Sequence, residues 1–524
     1  MKAEAANAGD PGAIRVPVCE HLERQAHVRP AHTYFECIDT GRTMSFAAVR
    51  DACNRIAALL TERGIGANDR IALLGGNSLE FVLLYLAVLR HGATLCALGA
   101  EMADGQHLND VLKAANPRIV LYESGLDRLA GTGPSTTEWI AYERYPAAPN
   151  GDAAEFFAQA ASFPTAPGTA PVGGPDDFAT ISYTSGTTGR PKGIVHHYSA
   201  VMANALGTVQ ALEIGPEDRI LECRSFAWLS ARIRIMFALH TGATLVIARR
   251  FSQSRYFDWI KDHDITIATA VPTIISMLVN RPVEAGKRPM PHLRFLTSSA
   301  APLAVEHQKA FEQLYGIEIR QLYGLSESGG VTCDPPGGRK IGSAGRPSLY
   351  QTVRIVGEDG QVLDAGETGE VEIEGEQVVT GYLEYDGTIT RLRDRPLRTG
   401  DVGYLDHDGY LFITGRQTET INRGGAKVSP REIEDVLLAH PDVAEAATIG
   451  VPDATWGEEI MSYVVVRDGL TVSPEELMRH CAKLLPEYRR PKQIAFLPML
   501  PKTARDKVDK KVLLETWTRH AGAA

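Results

Sequence analysis

Residues 70–98 read RIALLGGNSLEFVLLYLAVLRHGATLCAL, and this stretch decides the class of fold. Arg70–Gly76 is a short apolar run, which predicts a buried strand. The segment Glu80–Arg90 predicts a helix, and Ala93–Leu98 predicts a second buried strand. A strand, a helix and a strand in succession form a βαβ unit, which indicates layered parallel sheet and helix.

The same alternation returns further along the chain. Three more apolar runs predict a second α/β set, and they are Ala243–Ala248, Ile265–Val271 and Leu293–Ser299. Residues 131–175 are rich in Ala, Gly and Pro, so we expect a loop or linker there.

The pattern changes in the last third of the chain. From Gly345 to Gly381, short alternating strands separated by EDG and ETGE turns predict a small β-rich subdomain. After Arg416 we expect a compact α+β tail, with helices near 430–439 and 474–485 and strands at 443–451 and 460–466. The predicted fold is therefore a large layered α/β domain with a β-rich subdomain, followed by a small α+β domain.

Composition restricts the classes of function. A chain of 524 residues exceeds what one hydrophobic core usually organises, which predicts at least two domains. A net charge of -10 argues against a nucleic-acid-binding surface. Seven scattered cysteines without a C-x-x-C pair argue against a structural zinc and fit a reducing cytoplasm. The start lacks a signal-peptide pattern, and the apolar run Phe81–Leu89 is too short to cross a bilayer.

The stretch YTSGTTGRPKG, residues 183–193, has the composition of a polyphosphate-binding loop. Glycines permit close approach of the backbone to a ligand, and successive amides and hydroxyls form a concave set of donors. A lysine, Lys192, adds positive charge at the rim. The loop is not a Walker A motif, because the G-x-x-x-x-G-K-[ST] spacing is missing.

Five further motifs follow this loop in order: SSAAP (298–302), YGLSE (323–327), RTGD (398–401), GYLFITGR (409–416) and PKTARDK (501–507). Together, over nearly the whole chain, they resemble the acyl- and aryl-CoA synthetases of the adenylate-forming (ANL) superfamily. The resemblance implies that ATP activates a carboxylic acid to an acyl-adenylate with release of pyrophosphate. Coenzyme A then accepts the acyl group, and AMP leaves.

The resemblance also implies roles for the nucleotide-binding residues. The β- and γ-phosphates would contact Thr184, Ser185, Gly186, Thr187, Thr188, Gly189 and Lys192, and Glu327 would coordinate Mg²⁺. Tyr323 would stack on adenine opposite a wall formed by Ala300, Ala301 and Pro302, next to Gly324 and Ser326. Asp401 would accept hydrogen bonds from the ribose hydroxyls, although an Asx-turn after Gly400 is the alternative. Arg416 would reach the ribose or a phosphate.

The C-terminal part carries the remaining implied roles. Lys507 would contact the α-phosphate and the attacking carboxylate during adenylation. The domains implied are 1–416 and 417–524, with a hinge at Thr418 about which the second domain rotates. Gly424 and Gly425 would line the pantetheine tunnel, and Lys427 would meet a CoA phosphate.

Three positions depart from the family's usual pattern. The hinge is usually Asp or Lys but is Thr418, and Asp506 stands where Gly usually precedes the lysine. The acyl-pocket motif, commonly Phe-His, is RSFAWLSAR at 224–232, with Ala227 in the place of His. These departures remove no group that the chemistry requires, but they make the identity of the acid substrate hard to infer from relatives.

The acid pocket is expected to include Phe226, Ala227, Trp228 and Arg232. Trp228 and Arg232 are four residues apart, so they share a face of a helix. An unpaired buried arginine is costly, so Arg232 in the pocket would indicate an acid with a second anionic group, such as a dicarboxylate or sulfoacetate. The alternatives are that Arg232 points to solvent or pairs with a protein carboxylate. Arg234, about 200° further round the helix, is interpreted as structural or exposed.

Other functions remain open at this point. The acid is alternatively a medium-chain, carnitine-like or aromatic one. An amino-acid-activating enzyme that serves a carrier protein usually has Asp after the pocket Phe, where this chain has Ala227. A luciferase-like oxygenase and a catalytically silent nucleotide-binding scaffold are weaker rivals. Partners expected are the acid, ATP and CoA, and the oligomeric state is either monomer or homodimer.

Overall fold

The computed structural model describes residues 4–7, 9–100, 102, 107–145, 156–166, 172–185, 191–392, 395–503 and 507–521. Within them, the first βαβ unit forms as predicted. Strands Arg70–Gly75 and Thr94–Gly99 pair in parallel, and helix Leu79–His91 connects them. Ser78 caps the helix through its hydroxyl, and Gly92, with φ of 87°, ends it in the left-handed conformation. Every residue of this helix is buried, in agreement with its apolar sequence.

This unit belongs to a large mixed sheet. Its strands, in spatial order, are Ile389–Arg391, Gly381–Leu383, Pro191–His197, Phe178–Ser185, Thr94–Gly99, Arg70–Gly75, Ile119–Glu123 and Glu138–Tyr142. The pairs from Phe178–Ser185 to Glu138–Tyr142 are parallel, and the other pairs are antiparallel. The sheet therefore brings Gly381–Leu383 beside the strand that carries Lys192.

A second large sheet contains the other predicted α/β set. Its strands, in spatial order, are Arg346–Pro347, Gly329–Cys333, Ile319–Leu325, Phe295–Ser298, Ile267–Ala270, Arg219–Glu222, Thr244–Ile247, Thr33–Cys37 and Arg42–Ser45. The strands between Ile319–Leu325 and Thr33–Cys37 pair in parallel. Parallel strands end at the same edge, so the residues after Glu222, Ser298 and Leu325 meet there.

Two smaller sheets confirm the β-rich subdomain and the α+β tail. The first contains Glu4–Asn7, Gln351–Val356, Gly369–Gly375, Leu397–Leu405 and Leu411–Arg416, all antiparallel. The second contains Ala426–Val428, Ile421–Arg423, Gly457–Val466 and Val443–Asp453, with Gln493–Phe496 parallel to Gly457–Val466. The subdomain thus extends beyond the predicted residue 381, to Arg416.

Helices cover the faces of these sheets. The α-helices are Val18–Val28, Phe46–Glu62, Leu79–His91, Leu108–Ala115, Phe156–Ala161, Tyr198–Leu212, Leu229–Thr241, Tyr256–Asp262, Pro272–Asn280, Val305–Tyr315, Pro430–Leu438, Pro474–Leu484 and Lys510–Ala521. The main hydrophobic core joins helices that follow strands of both large sheets, and it includes Leu83, Ala203 and Phe237. Among the described residues, no helix has both the length and the apolar character needed to span a membrane.

One element prediction was wrong in part. Residues 131–175 were expected to be loop, but strand Glu138–Tyr142 and helix Phe156–Ala161 lie within them. The strand forms because it pairs in parallel with Ile119–Glu123 at the edge of the first sheet. This pairing is a tertiary contact that the local composition does not reveal.

Candidate active site

Asp401 joins the side chains that were predicted to contact adenine and ribose. The carboxylate is 3% exposed and accepts hydrogen bonds from Tyr323 Oη and Arg416 Nε, each at 2.7 Å. Asp401 and Arg416 are paired residues on adjacent strands, and Tyr323 comes from the second large sheet. Burial and the Asp401 carboxylate raise the pKa of Tyr323. These hydrogen bonds come from distant side chains, whereas an Asx-turn would use a backbone N–H two residues further along.

The predicted adenine wall follows strand Phe295–Ser298. Ala300 has φ of 75°, a left-handed conformation that is uncommon for a residue with a side chain. Arg224 Nη1 donates to Ser299 Oγ at 3.0 Å, so the loop before helix Leu229–Thr241 is bonded to the base of this wall. Arg224 opens the RSFAWLSAR motif but was not among the predicted site residues.

Gly324, predicted among the nucleotide contacts, has a structural reason to be glycine. A Cβ there would lie 2.0 Å from the carbonyl oxygen of Gly329, across the hairpin formed by Ile319–Leu325 and Gly329–Cys333. A side chain would separate these strands, at the point where the register shifts next to Tyr323. Gly324 therefore helps to place Tyr323.

Glu327 and Lys192 both contact an aromatic residue that the sequence prediction missed. Tyr382 Oη donates to Glu327 Oε1 at 3.2 Å, and Lys192 Nζ lies 5.2 Å from the centre of the Tyr382 ring. Strand pairing explains the arrangement, because Gly381–Leu383 lies beside Pro191–His197. No local signal in the sequence indicated Tyr382. The cluster places one cation and one carboxylate together, as a phosphate and metal site requires.

The central part of the predicted phosphate loop lies outside the described residues. The structure describes the backbone of Thr184 and Ser185 within strand Phe178–Ser185, and Thr184 pairs with Lys192. Residues 186–190, which include Gly186, Thr187, Thr188 and Gly189, are not described. Their roles stay predictions.

Arg232 is completely buried, at 0% exposure, so the solvent-exposed alternative is wrong. Its Nη1 donates to the carbonyl oxygens of Phe226 and Ala227 at 2.8 and 3.0 Å, and its Nη2 donates to Ser182 Oγ at 2.6 Å. Among the described residues, Arg232 Nε has no hydrogen-bond partner and no carboxylate pairs with the guanidinium. Burial lowers the pKa of Arg232.

Helix Leu229–Thr241 begins immediately after Trp228, and Phe226 is buried while Ala227 and Trp228 are half-buried. These residues therefore form the turn that was predicted to line the acid pocket. Arg234, interpreted as structural or exposed, is buried near Glu222, so the exposed alternative is wrong.

The predicted CoA-side loop contains two left-handed glycines, Gly424 with φ of 58° and Gly425 with φ of 91°. A Cβ on Gly424 would lie 2.5 Å from the Trp456 ring, whereas one on Gly425 would meet open space. Trp456, which is 48% exposed, is a further residue that the sequence prediction missed. Lys427 forms an ion pair with Glu358 of the β-rich subdomain.

The predicted hinge is a short 3₁₀ turn, Gln417–Glu419, directly after strand Leu411–Arg416. Next to Thr418, Glu419 pairs with Lys510 at 2.8 Å, and Lys510 also pairs with Glu434 at 3.0 Å. Glu419, the residue after the predicted hinge, is thereby connected through Lys510 to helices Pro430–Leu438 and Lys510–Ala521.

Lys507 is exposed and closes a turn with Thr503. The Thr503 N–H donates to Lys507 O at 2.7 Å, and the Lys507 N–H donates to Thr503 Oγ1 at 3.3 Å. Residues 504–506 lie outside the described part of the chain, so the effect of Asp506 stays a prediction.

Comparison with known proteins identifies a family whose models match both parts of the chain. The model of the AMP-binding enzyme family matches residues 22–383, and the model of its C-terminal domain matches residues 432–507. Sulfoacetate–CoA ligase of Cupriavidus necator is 33% identical over 498 residues, which cover 93% of this chain and 95% of that protein.

Long-chain-fatty-acid–CoA ligase FadD13 of Mycobacterium tuberculosis is 31% identical over 511 residues, which cover 95% of this chain and 98% of that protein. Among solved structures, ATP-bound MatB from Rhodopseudomonas palustris superimposes with a TM-score of 0.86 at 27% identity. That match covers 96% of this chain and 99% of the MatB chain.

Proposed function

The chain belongs to the AMP-binding enzyme family, as a CoA ligase of the adenylate-forming superfamily, and on that premise we propose that its acid substrate carries a second anionic group. The activity is that of an AMP-forming acid–CoA ligase, with ATP and CoA as substrates. The acid reacts first with ATP, giving an acyl-adenylate and pyrophosphate. Its acyl group then passes to the CoA thiol, giving acyl-CoA and AMP.

Sequence similarity alone does not select the acid. Relatives named for a small sulfonated acid and for long-chain fatty acids match this chain almost equally well. The choice therefore depends on the side chains around the predicted pocket.

The observation that supports a second anionic group is an excess of buried arginine. Arg224, Arg232 and Arg234 are all at most 4% exposed, and among the described residues Glu222 is the only carboxylate paired with any of them. Burying unpaired positive charge is costly unless a negative partner is supplied. A dicarboxylate or a sulfonated acid such as sulfoacetate supplies one.

The same charge disfavours the rival substrates. The ammonium group of an amino acid would be repelled by buried arginines, and a fatty acyl chain would leave them unpaired. A medium-chain, carnitine-like or aromatic acid remains the alternative, and so does, with less support, an amino-acid substrate.

We assign the catalytic roles by the family's pattern. Lys192 and Lys507 would stabilise negative charge on the phosphates and on the attacking carboxylate during adenylation. Glu327 fits a magnesium site, because Mg²⁺ is usually held by one or two carboxylates together with substrate phosphates. Among the described residues, no group of three or more His, Cys, Asp or Glu side chains could hold a metal ion by itself. Bound Mg²⁺ would supply charge neutralisation for the phosphates.

A pyrophosphate-release screen tests the proposal. Aliphatic, aromatic, dicarboxylic and sulfonated acids are compared, each with and without CoA. We expect the highest kcat/KM for a small acid with two anionic groups. A higher kcat/KM for an uncharged medium-chain or aromatic acid would contradict the proposal, while the ligase activity would stand.

A further inference from the structure

The carboxylate of Glu222 is bonded mainly to one arginine. Glu222 ends strand Arg219–Glu222 and is completely buried. It accepts the Arg224 Nε at 2.8 Å, Nη2 at 2.5 Å and backbone N–H at 2.9 Å, and the hydroxyl of Thr269 at 3.0 Å. Glu222 and Arg224 therefore form a matched, neutral pair, and the single negative charge of Glu222 cannot also neutralise a second buried arginine.

Arg234 is left with incomplete charge compensation beside this pair. Its Nε lies 3.8 Å from Glu222 Oε2, beyond hydrogen-bond distance, and its Nη1 donates to the carbonyl oxygen of Ser230 at 3.0 Å. Burial and the nearby positive charge of Arg224 lower the pKa of Arg234 to about 9, and Glu222 offsets this only in part. The charge is thus buried at a cost that a negatively charged ligand would remove.

Arg234 is connected to the predicted nucleotide site through its neighbours. Arg224, its neighbour, donates to Ser299, which directly precedes the predicted adenine wall. The helix of Arg234 packs against strand Gly329–Cys333, whose partner strand carries Tyr323. The acid's carboxylate attacks the α-phosphate, so the acid binds next to the nucleotide, and this helix begins at the turn that is predicted to line its pocket.

Arg232 has a different set of contacts. Its two Nη atoms bond two carbonyl oxygens of the turn 226–227 and the hydroxyl of Ser182 on the neighbouring sheet. These bonds fix the turn that lines the predicted pocket and use three of the five N–H donors of the guanidinium. Such contacts suit a positioning residue, which shapes the pocket wall for any acid.

We propose that Arg234 determines acid specificity by binding the second anionic group, while the Glu222–Arg224 pair orients it and Arg232 positions the pocket wall. This inference rests on the proposed function. A guanidinium offers two parallel N–H donors to a carboxylate or sulfonate, so the contact discriminates shape as well as charge.

The test compares two acids of similar shape on four forms of the enzyme. Sulfoacetate carries the second charge, and 3,3-dimethylbutanoate replaces its sulfonate with an uncharged tert-butyl group. KM and kcat are measured for wild type, Arg234→Met, Arg232→Met and Arg219→Met. Arg219 serves as a matched control. It lies at the opposite end of strand Arg219–Glu222 from Glu222, and it pairs with Glu36.

For Arg234→Met we expect the KM for sulfoacetate to rise about 100-fold, the scale of a lost charge-assisted contact, with the KM for 3,3-dimethylbutanoate unchanged or lower. Arg232→Met should lower kcat for both acids by a similar factor and reduce the thermal midpoint, and Arg219→Met should leave the ratio of the two KM values unchanged. If Arg234→Met does not fold, Arg234→Gln is measured with the same expectation.

The inference would be overturned if Arg232→Met raised the KM for sulfoacetate alone while the Arg234 variant raised the KM for both acids equally. That result would leave the proposed function intact. A wild-type enzyme that prefers 3,3-dimethylbutanoate would overturn the proposed function itself.

Discussion

Tyr323 and Asp401 are 78 residues apart in the chain, and a 2.7 Å hydrogen bond from the tyrosine hydroxyl to the buried carboxylate joins them. The bond links the second large sheet to the β-rich subdomain, so the predicted adenine and ribose contacts form one unit with Arg416. We infer that ribose hydroxyls compete with Tyr323 and Arg416 for the Asp401 carboxylate.

Asp401→Asn should raise the KM for ATP by roughly ten- to a hundredfold, because an amide accepts the ribose hydroxyls less strongly and leaves Arg416 without its negative partner. The measurement is ATP-dependent pyrophosphate release at saturating acid. Tyr323→Phe is the matched control, since it keeps both the ring and the carboxylate, and its KM should stay within a few-fold of wild type. Equal effects of the two substitutions would show that Asp401 acts only through Tyr323.

Glu327→Gln should increase the Mg²⁺ concentration needed for half-maximal adenylation by about tenfold or more, because a neutral amide is a weaker ligand for a hard cation. The readout is a magnesium titration of pyrophosphate release. Tyr382→Phe removes the hydrogen bond to Glu327 but keeps its charge, so its magnesium requirement should change much less. An unchanged requirement in Glu327→Gln would remove this residue from the metal site.

Lys507→Ala should abolish adenylation and leave thioester formation from a supplied acyl-adenylate largely intact. The reason is the family's division of labour between two orientations of the C-terminal domain. Lys502→Ala is the matched control in the same hairpin, since Lys502 pairs with Glu445 within the tail, and it should retain both half-reactions. Equal loss of both half-reactions in Lys507→Ala would contradict the two-orientation interpretation.

Gly425→Leu should block thioester formation while adenylation survives. A side chain at this position meets no protein atom within 4 Å, so it would project into the space predicted for pantetheine. Gly366 is the matched control for backbone strain, because it has the same φ of 91° and is equally open. Gly366→Leu should affect neither half-reaction selectively, and a loss of pyrophosphate release in Gly425→Leu would indicate misfolding instead.

Thr418→Pro should trap one domain orientation and uncouple the half-reactions, because proline fixes φ and also restricts Gln417 before it. Thr418→Ala keeps the backbone freedom and should turn over at nearly the wild-type rate. Single-turnover measurements of each half-reaction provide the test. Normal overall turnover of Thr418→Pro would place the hinge elsewhere, with Glu419 as the next candidate.

Local patterns were sufficient for the first βαβ unit. Helix Leu79–His91 was predicted to within one residue at each end, since its apolar length, its Ser78 cap and Gly92 are all local features. Strand Glu138–Tyr142 was missed, because its formation depends on pairing with Ile119–Glu123.

The sequence by itself determined the two-part organisation, the order of the adenylate-forming motifs and the residue types that ATP chemistry requires, since each is carried by a contiguous segment. Only the tertiary structure decided that Tyr382 contacts both Lys192 and Glu327, that Trp456 covers Gly424, and that Arg232 and Arg234 have different partners. The periodicity of a helix tells which residues share a face, but not how deeply the face is buried or which distant carboxylate it meets. Burial and charge pairing arise between segments far apart in the chain, and they determine the energy of a buried arginine.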